Sequence, residues 1–468
     1  MSKSKLGVYG LGVMGSSLAL NMLEKGFSIS VFNRDEGSEK GTVSSFLEKN
    51  SGYDQLSGFT NEAGFIASLE RPRRILIMVK AGPVIDLVIQ QLLPFLEEGD
   101  ILIDGGNSHF KDTQRRMDEL SKTRNIHFLG VGISGGEKGA RYGASLMPGG
   151  MKEAYEMVSQ ILTSIAAKDT SQNPCCTFIG EQGSGHFVKM VHNGIEYVEM
   201  QLIAESYSIL KQNYSNEQIS EIFSEWNKGE LESYLLEITA EILLHQNEHG
   251  YLIDQILDAA GSKGTGSWST IAALETGVVN TMMSSSVFAR YVSNKKEERI
   301  SLSKKVSSES VNSSLEIQTL KTAYKAARIV NHHQGFELIR ASAKEYNWSL
   351  DFSELARIWT NGCIIRSRLM EELSEIFKQS DSLLNHSESF QVIRDAEKAL
   401  SEVVKSGIDA RIPTPAFSSG FEYWISITSE NLSSNMIQAQ RDFFGAHTYQ
   451  LKNDPTGSFY HTNWENND

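Results

Sequence analysis

The chain is poor in cysteine. Its 468 residues hold only three, Cys175, Cys176 and Cys363. An adjacent pair with one distant partner makes neither a disulfide framework nor a metal cluster, so no bound metal is expected. Apolar runs long enough to span a bilayer are also lacking. The segment MSKSKLGVYGLG has neither the apolar stretch nor the small-residue cleavage site of a signal peptide. These absences predict a cytosolic protein, in which sequons such as Asn213-Tyr214-Ser215 are chance matches. Surplus positive charge is missing too. A net charge of −14 argues against a nucleic-acid partner. Any small anionic substrate must then be met by a local cluster of cations.

Apolar residues make up 40% of the chain, enough for a sizeable core, and the length predicts two or three domains. Residues 1–180 alternate short β-rich apolar runs with helical segments: LGVYG, SISVFN, RILIMV, DILIDGG, HFLGVGIS and CCTFIG. That alternation predicts a mostly parallel, doubly wound sheet with helices on both faces. From Glu181 strand signals almost vanish, and residues 181–437 read as an all-helical domain. This domain looks duplicated. His192-Asn193-Gly194-Ile195-Glu196 is echoed by His333-Gln334-Gly335-Phe336-Glu337, and Trp226-x-x-Gly229-x-Leu231 by Trp359-x-x-Gly362-x-Ile364. Residues 438–468 are rich in aromatics and turn formers. This tail is too short for a core of its own, so its aromatics are expected to dock on another surface.

Gly10-Leu11-Gly12-Val13-Met14-Gly15 follows the first strand and opens a helix. At the first βα turn this pattern predicts a dinucleotide site, with glycines admitting a pyrophosphate to a helix N-terminus. The second strand ends at Asn33-Arg34-Asp35. An NAD-type site places a carboxylate where Asn33 stands. Arg34 suits a 2′-phosphate through charge and bidentate hydrogen bonding, whereas Asp35 would repel it. NADP is the favoured cofactor. Asn107 and Ser134-Gly135-Gly136 lie just beyond strand ends, where ligands bind in open α/β sheets. In Asp258–Trp268 a run of glycines with Lys263 interrupts the helical region, which suits an oxyanion.

Phe187–Tyr207 reads as a helix with an apolar stripe of Val188, Val191, Ile195, Val198 and Leu202. Lys189, His192, Asn193 and Glu196 fall on one side of it. A solvated face repeats Lys and Glu. This one carries a base, an imidazole, an amide and an acid once each.

With these motifs the chain closely resembles the 6-phosphogluconate dehydrogenase family. The resemblance extends from Lys5 to Trp464 through GLGVMG, FNR, VKAG, DGGNS, SGGEKGARYG, KMVHNGIEY, GSKGTGSW and QAQRDFFGAH. Asp35, Gly12 and Ser267 depart from the family's usual residues. The resemblance implies Lys189 as general base and Glu196 as general acid in an oxidative decarboxylation. It assigns Val79, Lys80, Ala81 and Asn107 to the cofactor. To the substrate it assigns Asn107, Ser134, Gly135, Gly136, His192, Asn193, Tyr197, Lys263, Arg290, Arg441 and His447. It further implies a homodimer in which the tail carrying Arg441 and His447 enters the neighbouring subunit. Two other readings share parts of this pattern: a β-hydroxyacid dehydrogenase for a non-phosphorylated acid, and a non-catalytic NADP-binding sensor.

Overall fold

The computed structural model describes residues 3–261, 264–306 and 315–464. Its main sheet has seven strands in the order β3-β2-β1-β4-β5-β6-β7: β1 (Leu6–Tyr9), β2 (Ile29–Phe32), β3 (Leu56–Phe59), β4 (Arg74–Ile77), β5 (Ile101–Asp104), β6 (His127–Ile133) and β7 (Leu146–Gly150). All pair in parallel except β7, which runs antiparallel to β6. The inner strands are short and almost wholly apolar because helices cover both faces. Alternate side chains enter opposite cores. Leu6, Val8 and Leu76 join Leu18 and Val158 in one, while Tyr9, Ile75 and Ile77 join Phe65 and Leu120 in the other.

The expected strand CCTFIG is not a strand of this sheet. Cys176 and Gly180 make isolated parallel bridges to Leu146 and Gly149, so the segment only accompanies β7. The sequence reading passed over β7 itself, because LMPGG looks like a turn, and over β3, a half-buried edge strand containing a glycine.

Among the described residues beyond 180 the regular elements are helices apart from a short hairpin pairing Gln246–Asn247 with Gly250–Tyr251. The two longest helices, Ser184–Leu210 and Ile317–Glu345, carry the two copies of the echoed motif and pack together. A side chain at Gly335 would collide with Ile195 of the first helix, at 2.6 Å from its Cδ1, so glycine sets the closeness of this crossing. The second landmark is repeated as well. Trp226 and Trp359 are both buried, and the chain after each reaches Ser233 and Ser367, which precede the helices Tyr234–Leu244 and Arg368–Ile376 and bridge each other.

Two compact units are distinguished, Met1–Gly420 and Phe421–Asp468. The second organises itself more than its length suggested. Asp442, in the helix Ser434–Gly445, accepts hydrogen bonds from Thr448 N, His461 Nδ1, Thr462 N and Trp464 Nε1 at 2.9–3.1 Å. Burial alone would raise its carboxyl, but these donors bring it down to about 2. The unit still exposes Met436, Phe443, Phe444 and Phe459.

Candidate active site

The glycine turn after β1 leads into the helix Val13–Glu24. Gly10 has φ +105°, and a Cβ on Gly15 would strike the Gly10 carbonyl, so the turn tolerates no side chain at either place. A Cβ at Gly12 would meet nothing within 4 Å, which leaves the backbone open to an incoming group. No side chain caps this helix and no acid occupies its first turn, an arrangement suited to a pyrophosphate. The donor set and the cradle therefore fit a dinucleotide.

Two cavities flank the turn and share Gly12, Met78, Val79 and Lys80. The first, about 520 Å³, reaches Leu11, Asn33, Arg34, Glu39 and Thr42 at the end of β2. The second, about 690 Å³, reaches Val13, Met14, Gly15, Ala81, Asn107 and Trp268 at the ends of β4 and β5. Asn33 is buried and accepts from Leu11 N at 3.0 Å, so it braces the glycine turn. Asp35 lines neither cavity. Its carboxylate accepts from Gly41 N at 2.7 Å, at the start of the helix Thr42–Lys49.

The helix Ser184–Leu210 crosses β6 and β7 at unusually close range. A Cβ on Gly185 would collide with backbone atoms of Gly130, Met147 and Gly149, and one on Gly132 would lie 2.5 Å from Lys189 Cβ. The glycines of HFLGVGIS thus bring Lys189 down onto the sheet. A small cleft beside it is lined by Asn107, Ser108, His186, Asn193 and Trp268. Asn107 and Trp268 also line the larger cavity at the ends of β4 and β5, so the lysine stands next to the dinucleotide groove.

Lys189 is 7% exposed. Its Nζ donates to Asn193 Oδ1 at 2.8 Å and lies 3.3 Å from His192 Nδ1. Burial lowers its pKa from the ordinary lysine value, and Glu196 opposes the shift only in part. That is what a general base near neutral pH requires. His192 is fully buried and held neutral, chiefly by burial and then by Lys189. His192 Nδ1 also lies 3.2 Å from Asn193 Oδ1, and its Nε2 faces Ser134 Oγ at 3.2 Å. Glu196 is one turn further along, with Oε2 3.9 Å from His192 Nδ1.

Lys189, His192, Asn193, Glu196 and Ser134 therefore form one connected group. Gly135 and Gly136, both with positive φ, complete the turn after β6. A Cβ at Gly135 would stand 2.5 Å from the Gly362 carbonyl. Tyr197 is buried between Gly266 and the Arg290 guanidinium, whose carbon lies 3.3 Å from the ring centroid. Lys263 lies outside the described residues. Arg441 and His447 belong to the second unit, where Arg441 is exposed and donates to Gln438 Oε1 at 3.2 Å.

Sequence reasoning missed three lining residues. His186 stands one turn before Lys189, with its Nδ1 2.6 Å from Thr113 Oγ1; the spacing i−3 could have flagged it. Trp268, at the end of the glycine-rich stretch, lines both the larger cavity and the lysine cleft and meets His109 edge-on. Glu39 at the end of β2 had no signal beyond its charge.

A parallel-sheet dinucleotide groove opening onto a buried, deprotonation-prone lysine defines a nicotinamide-dependent dehydrogenase of hydroxyacids. Two family models match: the NAD binding domain of 6-phosphogluconate dehydrogenase over residues 5–180, and its C-terminal domain over residues 185–464. The chain is 47% identical to the NADP(+)-dependent, decarboxylating 6-phosphogluconate dehydrogenase of Bacillus subtilis, covering 99% of this chain and all of that protein. It is 45% identical to the decarboxylating enzyme of Escherichia coli K12, with the same coverage. A solved structure of 6-phosphogluconate dehydrogenase from Plasmodium falciparum superposes with a TM-score of 0.92 at 39% identity, covering 98% of this chain and all of that one. The chain belongs to the 6-phosphogluconate dehydrogenase family.

Proposed function

We propose that this chain oxidises 6-phospho-D-gluconate with NADP and decarboxylates it to D-ribulose 5-phosphate and CO2. The observation that carries the reading is Lys189, buried, short of its ordinary basicity and adjoining the dinucleotide groove. Support also comes from the Plasmodium falciparum protein, described in complex with NADP+ and with 6-phosphogluconate.

NADP, when bound, accepts the hydride from C3 of the sugar acid. Neutral Lys189 takes the proton of the C3 hydroxyl as that hydride leaves. His192 and Asn193 hold the lysine and orient substrate oxygens, with Ser134, Gly135 and Gly136 across the cleft. The 3-keto acid loses CO2 because its carbonyl takes up the electron pair of the breaking bond, and protonated Lys189 returns its proton to that oxygen. Glu196, two turns from Lys189 and roughly 10 Å along the helix, gives a proton to C1 of the enediol while Lys189 takes back the proton of the enol hydroxyl, leaving the ketone of ribulose 5-phosphate. Tyr197, Lys263, Arg290, Arg441 and His447 serve the phosphate and the sugar, the local cations that an acidic chain needs. Residues 1–180 bind the nucleotide and residues 181–437 the substrate. Residues 438–468 complete the site of a second subunit in a cytoplasmic homodimer. The exposed apolar side chains of the tail support that last assignment.

The deciding experiment supplies 6-phosphogluconate with NADP and follows reduced cofactor and CO2 together. Equal amounts are expected. Reduced cofactor without CO2 would assign the chain to non-decarboxylating hydroxyacid dehydrogenases, and no turnover would favour a sensor.

A further inference from the structure

The end of β2 reads the adenosine ribose in folds of this kind, and here it is already occupied by a carboxylate of the chain itself. Glu39 sits on the short turn Gly37–Glu39 and reaches back into the cavity. Its Oε1 accepts from Arg34 Nη2 at 2.7 Å and its Oε2 from Asn33 Nδ2 at 2.9 Å. Asn33 in turn holds Leu11 N of the glycine turn. Arg34, suited to a 2′-phosphate, is thus paired with an acid that the adjacent asparagine holds in place.

Resting on the NADP-dependent reading above, we propose that Glu39 is a specificity-determining residue that competes with the 2′-phosphate for Arg34 and lets the chain accept NAD alongside NADP. The ion pair itself is worth little, because both side chains are substantially exposed. The discrimination arises from what remains after the pair opens. Asn33 keeps the carboxylate near the place where a phosphate of about two negative charges must sit, and like charges a few ångströms apart repel even in water. A ribose 2′-hydroxyl has the opposite relation to the same group. It donates to Glu39 and leaves the Arg34 pair intact. Arg34 holds the Glu39 carboxyl below its usual range through their hydrogen bond, so the acid is charged at neutral pH. Asp35, the neighbouring acid, is engaged by Gly41 N and does not line the cavity.

The test is direct titration of NADPH and NADH by cofactor fluorescence, with no substrate present. Glu39→Gln removes the charge and keeps the length. It should tighten NADPH about tenfold and leave NADH unchanged or weaker. Glu36→Gln removes an equal charge from the same turn without touching Asn33 or Arg34, and should change the ratio of the two affinities far less. Arg34→Ala should weaken NADPH selectively. An NADPH affinity that stays the same or falls in Glu39→Gln, or an equal gain in Glu36→Gln, would overturn the proposal. Retained NADH binding reports a folded site in each variant. Because no sugar acid enters the measurement, its outcome is separate from whether the chain oxidises 6-phosphogluconate.

Discussion

Gly132 offers a sharp test of how the lysine is placed. It lies in β6 beneath the helix Ser184–Leu210, and a methyl there would stand 2.5 Å from Lys189 Cβ and 3.0 Å from the Gly185 carbonyl. To regain an ordinary contact of 3.4 Å the helix would have to retreat by about 0.9 Å at the catalytic turn. The nearest atom is Lys189 Cβ, whose place the main chain fixes, so the strain cannot relax through a rotamer. A misplacement of about 1 Å at a reacting group costs on the order of 100-fold in rate, and overpacking of this kind destabilises by about 1–3 kcal/mol. Gly132→Ala should therefore lower kcat by about two orders of magnitude while keeping the glycine-turn cavity and its affinity for NADPH. The assay is kcat from reduced-cofactor absorbance at saturating 6-phosphogluconate and NADP, with fluorescence titration of NADPH and a urea unfolding curve on the same preparation. A folded variant with kcat within about twofold of the parent would refute the idea that this crossing sets the position of the base.

The lysine also governs pH dependence. In the proposed mechanism neutral Lys189 is the active form, and its pKa lies below the ordinary lysine value, so kcat/KM should rise with pH through that lowered value and level off before about pH 10.4. Lys189→Met should abolish turnover and retain cofactor binding, and wild-type activity in that variant would dismiss the lysine as the base. Glu205, buried on the same helix and accepting from Ala416 N and Phe417 N, is raised by burial to about 7. The folded state then binds the extra proton between about pH 4.5 and 7. Stability present below that window should fall as pH rises through it, and Glu205→Gln should flatten the slope of urea-unfolding free energy against pH. For the tail, refolding a mixture of inactive Lys189→Met and Arg441→Ala chains should restore part of the activity, because one site of a mixed dimer carries neither lesion. Absence of any recovery would place Arg441 in the site of its own chain.

Much of this arrangement was readable before any coordinates, for physical reasons that differ by residue. The glycine turn is legible because only glycine satisfies its backbone, and Gly10 and Gly15 meet that demand here. Lys189, His192, Asn193 and Glu196 are legible because a helix converts spacing into a shared face, and the structure links them at hydrogen-bond or near-contact range. β7 was illegible because Pro148 and two glycines disguise a strand whose partner is β6. The hold of Asp35 on Gly41 and the reach of Glu39 to Arg34 depend on rotamers, and no pattern in FNRDEGSEK distinguishes those two acids. Trp268 was missed because its importance lies in what it adjoins, two cavities built from distant parts of the chain.

The glycine seam between β6–β7 and the helix Ser184–Leu210 has a consequence for motion. Enzymes that clamp shut on a substrate usually swing two bodies about a few residues able to absorb a change of dihedral angle. At Gly149 and Gly185 the meeting surfaces are largely main chain against main chain, while Gly130 lies against the His186 ring and Gly132 against the root of the Lys189 side chain, so the joint leaves little room to slide. Such packing predicts that the sheet and the helix carrying Lys189 move together, so the place of Lys189 over the sheet is set when the chain folds. Admission of substrate and escape of CO2 then fall to the loops and side chains around the rim, and any bulk introduced along the seam acts as a wedge felt at the reacting atoms.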